Sequence, residues 1–529
     1  MSAGYDAAII GAGHNGLVTA AYLAKAGLKV VVLEANDRPG GAAATREFAP
    51  GFRVSAVAHL LHALHPRITR DLGLKRLGLS KGLKATGTAA LLPDGGRIEI
   101  SRDSAATSAS IGRVSPADGA AYAGAIARLV RLSGALGGCM LRTPPSPAMA
   151  SNDLRTKIDL GLFALSLRRL GRKDLLELTR ILTMNVADLA GDLFESDSVK
   201  GLLAFEATLG AYLGPRSPNT VFNLLYRLSS FGPQGMGAFH LPAGGMGAVG
   251  DMLAKAAGNA GAVIRLEAPV EHILVEKDVA AGVVLAGGEE VRAGLVASSA
   301  DPQATLLKLV APGQLDVQFL KRIRHLRMNG CVAKIHLALD GLPDGWADGA
   351  RRLVFAPGID HVERAFDCAK YGRVSDSPAL EVVLQSLADP SLAPAGKHVA
   401  SILFQYAPYK LRTTSPDDAR QQVLERGLDT LDALAPGIKG RVLASEVLIP
   451  HDLESQFGLS GGQWHHGEVT LDQMFFLRPA GGFQRYRMPI PGLWLCGAGA
   501  HPGGNVSGAA GANAAREILR DVKRRRAAR

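Results

Sequence analysis

At 529 residues the chain exceeds what one hydrophobic core organises, so two or three domains are expected, and 47% hydrophobic content with 63 glycines suits a well-packed α/β protein. The net charge of +11 lies largely in the tail Arg520–Arg526 and in the cluster Arg168, Arg169, Arg172 and Lys173. No nucleic-acid motif accompanies it, so the tail reads as a solvated end and nucleic acid is not an expected partner. Four cysteines (Cys139, Cys331, Cys368 and Cys496) lie far apart without a CxxC pair, which excludes a redox disulfide and a thiolate metal cluster and fits a reducing compartment.

The N-terminus reaches its first apolar strand within five residues, which leaves no room for a signal peptide. No apolar run of about 18 residues follows. The expected localisation is cytoplasmic, with peripheral contact to a membrane as the alternative. Ala7–Ile10 reads as a buried parallel strand, Leu17–Ala26 as a helix and Lys29–Leu33 as a second buried strand. Between the first two stand Gly11, Gly13 and Gly16 in a G-x-G-x-x-G run that includes His14 and Asn15. Glu34 ends the second strand, 18 residues past Gly16. Gly11 makes the tight turn, Gly13 leaves room for a pyrophosphate, and Gly16 lets the helix pack against the strand. The helix N-terminus offers free N–H groups and a positive dipole end to phosphates, and Glu34 accepts from ribose hydroxyls. An acid at that place favours a free ribose diol over a 2′-phosphate. The unit predicts an FAD or NAD site.

Glu34-Ala35-Asn36-Asp37-Arg38-Pro39-Gly40-Gly41, continuing to Thr45, is similar to the E-x3-R-x-GG run of the amine oxidase and phytoene desaturase flavoproteins. That resemblance favours FAD and implies that Arg38 and the backbone after the glycines embrace it. Further on, Phe52–Leu64 carries His59 and His62, with His65 just beyond, at a spacing that raises the question of a metal. No carboxylate or cysteine completes a site, and no metal is expected. The resemblance places this segment beside the isoalloxazine ring, which makes His59 or His62 a candidate for lining the active site; packing or capping is the competing role.

Residues 111–235 change to helical periodicity, as in Ala121–Leu132, Ile158–Leu170 and Asp174–Leu189, with Pro144, Pro145 and Pro147 breaking the first stretch from the second. This reads as an inserted substrate-covering cap. Ile158–Leu167 followed by Arg168-Arg169 is apolar with a basic edge. It reads either as a cap helix buried against its neighbours or as a helix dipping into a bilayer interface. Leu241–Gly247 then opens a helix to about Ala260, and hairpin strands follow, among them Val270–Val275. Val270 resembles the valine whose backbone pairs with the adenine of FAD in the superfamily. From 306 to 465 a sheet with a flanking helix, Pro416–Leu434, is expected as a substrate domain. Lys334 is a charge inside its apolar strand Cys331–Leu339, at a position comparable to the lysine that holds water near flavin N5 in amine oxidases. Emergence on the strand's polar face is the alternative.

Gly492–Gly511 reads as strand, glycine loop and helix, the helix starting near Val506. Gly497, Asn505 and Val506 bring backbone N–H groups and a positive helix end to a phosphate or to the flavin O2 region. Such a dipole stabilises an anionic reduced flavin. Together, GAGHNGLV at Gly11–Val18, PGF at Pro50–Phe52, GPRSPNT at Gly214–Thr220, HGEVTLDQMFFLRP at His466–Pro479 and the HPGG loop at His501–Gly504 resemble the phytoene desaturase-related FAD oxidoreductases. The subgroup resembled is that of pyridine nucleotide-disulfide oxidoreductase domain-containing protein 2 and its bacterial relatives, although the redox CxxC of that name is missing here. Asn505 stands where many members place a further glycine; among non-glycines asparagine tolerates left-handed backbone best.

The resemblance implies a Rossmann-type FAD domain in three parts (1–110, 236–305 and 466–529, the last with the basic tail), a helical cap (111–235) and an α+β substrate domain (306–465). It also implies a non-covalently held FAD and a small lipophilic substrate. The expected chemistry is hydride transfer between a C–C or C–N bond and flavin N5. Lys334, His59 and His466 are candidate bases, and the cap shields the transfer from water. The alternatives are a saturase or isomerase working on externally reduced flavin, an amine oxidase, for which aromatic residues are sparse, and a flavin-bearing membrane-associated interaction protein with weak turnover. Nothing in the sequence sets the oligomeric state.

Overall fold

The computed structural model describes residues 4–144, 154–231 and 236–527. Pro145, Pro147 and the expected cap boundary at 235 lie outside them. A five-stranded parallel sheet runs in the order Leu493–Leu495, Val296–Ser298, Ala7–Ile10, Val30–Leu33, Val263–Arg265. Ala7–Ile10 and Val30–Leu33 are buried throughout, as parallel strands covered on both faces must be. The strand order reverses around Ala7–Ile10, which pairs with Val30–Leu33 on one side and Val296–Ser298 on the other. A crevice forms at such a switch point, beyond the carboxyl ends of the strands. Helix His14–Lys25 leaves from there and packs on the C-terminal helix Ala509–Ala527 and on Gly247–Asn259. Gly511 makes the first of these contacts close, because a Cβ there would run into the carbonyl oxygen of Asn15.

The second sheet has seven strands, in the order Val442–Leu448, Val332–Leu339, His398–Gln405, Ala379–Leu384, Arg352–Phe355, Thr88–Leu91, Arg97–Ile100. One face, with Ile335, Ile402 and Phe404, packs on helix Pro416–Leu434 through Val423 and Leu431. The other, with Val383, Leu403 and Val354, packs on cap helices that include Asp197–Thr208 and Thr220–Phe231. Strand side chains alternate between faces. The alternation therefore puts Lys334, Ser401, Glu381 and Arg352 on the cap face.

Three details differ from the sequence expectations. Residues 83–100 do not stay with the nucleotide sheet. Leu83–Thr86 pairs with Phe239–Pro242, and Thr88–Leu91 extends the seven-stranded sheet beside Arg352–Phe355. A four-residue strand of small side chains (Thr88-Ala89-Ala90-Leu91) carries no signal of its partner. The helix expected over Asp174–Leu189 is two, Gly171–Ile181 and Val186–Leu193. Asn185 separates them, its side chain accepting from Asp188 N at 2.8 Å as an N-cap. The C-terminal helix begins at Ala509, not near Val506.

Candidate active site

A cleft of about 540 Å³ runs from the switch point of the first sheet to the cap face of the second. At its nucleotide end the three fingerprint glycines do three different things. Gly11 has a φ of +88°, in left-handed territory. A Cβ at Gly16 would run into the Gly11 carbonyl, so Gly16 serves the close packing of helix on strand. Gly13 has nothing within 4 Å of where its Cβ would be, and it lines the cleft. Glu34 is buried in the cleft wall and holds the glycine loop. Its Oε2 accepts from Ala12 N at 2.6 Å, and its Oε1 accepts from the backbone and side-chain nitrogens of Asn36, each at 3.0 Å.

His14, Asn15, Ala35, Gly40, Gly41, Val270, Asn505 and Val506 also line the cleft. Asn505 has a φ of +66°, the left-handed geometry that leads asparagine to stand in for glycine. His14 Nε2 is buried without a partner, and burial first, then neighbouring His466, pushes the imidazole down to about 4. Two expected contacts lie elsewhere. Arg38 does not line the cleft. Its guanidinium pairs with Asp37 (2.7 Å) and donates to the Thr45 carbonyl at 3.1 Å. Thr45 is likewise used internally, its hydroxyl accepting from Gly247 N at 2.8 Å. Gly497 lies beneath the cleft floor, where a Cβ would collide with the Ser299 carbonyl.

At the far end the cleft meets a buried polar chain. His59 lines the cleft, with Nε2 2.6 Å from Glu381 Oε1 and Nδ1 3.1 Å from Ser401 Oγ. Lys334 is fully buried and does not reach the cleft wall. Its Nζ lies 2.8 Å from His59 Nδ1 and donates to Ser401 Oγ at 2.7 Å. Burial pushes the Lys334 amine down to about 7, against the pull of Glu381. Burial, then Lys334, pushes His59 down to about 4. Glu381 receives Nε of Arg352 at 2.6 Å, Arg352 reaches Glu206 at 2.6 Å, and Glu206 pairs with Arg227, which returns to the cleft wall. Burial opposes ionisation of Glu381, yet Arg352 and His59 hold its carboxyl well below the usual range.

His59 and Lys334 therefore correct two expectations. His59 has both ring nitrogens engaged, so it is no free base, and Lys334 sits behind it instead of facing the cleft. His466 does line the cleft, in left-handed backbone (φ +55°) with Nδ1 unpartnered, and burial lowers its pKa. His62 also lines the cleft, stacked on Phe231 with ring centroids 4.9 Å apart, whereas His65 accepts from Arg67 N as a helix cap.

Glu381, Arg352, Glu206, Arg227 and Arg478 were missed in the sequence. Glu381 carries the signal that picked out Lys334, a charge inside an apolar strand (Ala379–Leu384). Arg478 gives none; it donates to the Ala498 and Gln473 carbonyls and so ties the His466–Pro479 segment to the C-terminal glycine loop.

The residues present fit FAD. Gly13 opens the space a pyrophosphate needs, the first turn of helix His14–Lys25 faces it, Glu34 presents a carboxylate, and buried nitrogens at His14 and His466 lack partners. Fold and site define an FAD-dependent oxidoreductase. The model of the flavin containing amine oxidoreductase family matches residues 16–519, and the chain belongs to that family. It is 37% identical, over 98% of its length and 94% of the relative's, to pyridine nucleotide-disulfide oxidoreductase domain-containing protein 2 of Rattus norvegicus. It is 25% identical, over 96% and 92%, to the neurosporene-forming phytoene desaturase of Cereibacter sphaeroides. Among solved structures it superposes on cyclohexylamine oxidase from Brevibacterium oxydans with a TM-score of 0.58, at 17% identity over 98% of this chain and 100% of the other, which is a likeness of fold.

Proposed function

We propose that the protein dehydrogenates a C–C bond of a small lipophilic substrate, using a non-covalently held FAD as hydride acceptor. The observation that carries this reading is the far end of the cleft. Leu60, Leu209, Phe239, Leu403 and Trp464 wall it, and the carboxylate among its lining residues, Glu381, is tied to His59 and Arg352. A protonated amine would find Arg227 in the wall, while the carboxylates of Glu206 and Glu381 are already committed to arginines. The likeness to a phytoene desaturase points the same way. When bound, FAD supplies the two-electron acceptor. The chain's own residues hold it at Glu34 and the glycine loop, exclude water with the cap, and keep His59 neutral beside the substrate.

The test is anaerobic mixing of the FAD-loaded protein with size-matched apolar alkenes and primary amines, followed by product analysis. Flavin reduction by the alkenes with a new double bond in the product is expected. Reduction by the amines alone would replace this reading with an amine oxidase.

A further inference from the structure

The most conspicuous surface feature lies away from the cleft, on cap helices Leu154–Arg168 and Gly171–Ile181. Thirteen large hydrophobic side chains are exposed among the described residues, and five of them, Ile158, Leu160, Leu162, Leu165 and Leu176, lie on this pair. Ile158 (51% exposed), Leu162 (42%) and Leu165 (42%) are spaced i, i+4, i+7 and so form one stripe. The alternative of a cap helix buried against its neighbours does not describe these side chains. Around them stand five exposed cations: Lys157, Arg168, Arg169, Arg172 and Lys173. Among the described residues none of the five lies within ion-pair distance of a carboxylate, and only Lys173 acts at longer range on one, Asp174. The second helix is instead fixed to the body by others, Arg131 to Asp174 at 2.6 Å and Arg128 to Glu177 at 3.3 Å, with Leu178 and Ile181 buried beneath.

We infer that this helix pair docks the protein on an anionic lipid bilayer, the aliphatic stripe entering the headgroup boundary and the cations facing lipid phosphates. The charge selects this occupant. A second copy of the chain across a two-fold axis would set the same unpaired cations against each other. An anionic bilayer complements them and takes up aliphatic side chains without needing shaped pockets. The contact is peripheral: the first helix has 15 residues, about 22 Å long, and no helix among the described residues is long and apolar enough to cross a membrane.

The experiment is co-sedimentation of the full-length, FAD-loaded protein with vesicles of phosphatidylcholine alone or with about one-third phosphatidylglycerol. Binding to the anionic vesicles only is expected, weakened at ~0.5 M salt by screening. Arg168→Glu/Arg169→Glu should lower partitioning on the order of tenfold or more. Leu162→Ser/Leu165→Ser should lower it similarly, with flavin absorbance and melting temperature unchanged. A tail variant, Arg524→Ser/Arg525→Ser/Arg526→Ser, should bind as wild type. No binding to anionic vesicles, loss confined to the tail variant, or a wild-type dimer split by Leu162→Ser/Leu165→Ser would each overturn the assignment; the last would make the face a contact between copies.

Discussion

Lys334 Nζ stands 2.8 Å from His59 Nδ1, and the opposite nitrogen of that ring stands 2.6 Å from Glu381. Glu381, held ionised, can only accept, so His59 Nε2 carries the ring proton and the Nδ1 of the neutral imidazole accepts from Lys334. Glu381 therefore fixes the tautomer of a cleft-wall histidine, and Lys334 holds the ring's orientation from behind. Lys334→Met should leave FAD bound but slow substrate-driven flavin reduction by about tenfold, the scale of one misoriented polar group. Stopped-flow absorbance checks this, and unchanged turnover would remove Lys334 from the mechanism.

The same lysine sets a pH dependence of stability. Its folded pKa is near 7, while the unfolded chain keeps the proton to about 10.4. Between those values the unfolded state binds more protons, so Lys334 makes stability rise with pH. The gain is lost as pH falls through 7. Denaturant melts at pH 7 and pH 9 should show wild type gaining relative to Lys334→Met, with a slope approaching about 1.4 kcal/mol per pH unit. Parallel curves would mean that the buried amine does not lose its proton.

On the acid side, burial pushes His14, His59 and His501 down to about 4 and His465 to about 3. Unfolded histidines take up protons near 6.5, so folded-state stability is present above 6.5 and falls as pH drops toward 4. Melts at pH 6.5 and 4.5 should differ by several kcal/mol, at most about 1.4 per histidine per unit. A flat profile would show that these rings are hydrated.

Two glycine substitutions separate cofactor from fold. Gly13→Val adds atoms to open space, so the protein should fold with normal circular dichroism yet purify without flavin. Gly16→Val drives a side chain into the Gly11 carbonyl and should not give soluble protein. Flavin retained at full occupancy in Gly13→Val would move the pyrophosphate elsewhere.

Glu34→Gln keeps the shape but takes the charge from hydrogen bonds made by Ala12 N and Asn36. Charge-assisted bonds contribute about 1.5–3 kcal/mol, so FAD affinity should fall on the order of 10- to 100-fold, read by fluorescence titration of the apoprotein.

The nucleotide half was legible because its signals are local. Glycines, a helix start and an acid in register within 34 residues define geometry that tertiary contacts only complete. Asn505 and His466, singled out through the family resemblance, both line the cleft. The polar chain from Lys334 to Arg227 was not legible, since residues 59, 206, 227, 334, 352 and 381 meet only through sheet register and cap packing. The pairing of Arg38 with its neighbour Asp37 was not legible either, since spacing does not say which anion a guanidinium takes.

The measurement that tests the account most directly is the visible spectrum of the purified protein, recorded anaerobically while NADPH or NADH and then a lipophilic donor are added. An oxidised flavin band near ~450 nm that persists with the nicotinamides and bleaches with the donor is expected. A folded protein without flavin, or a flavin reduced by nicotinamide alone, would contradict it.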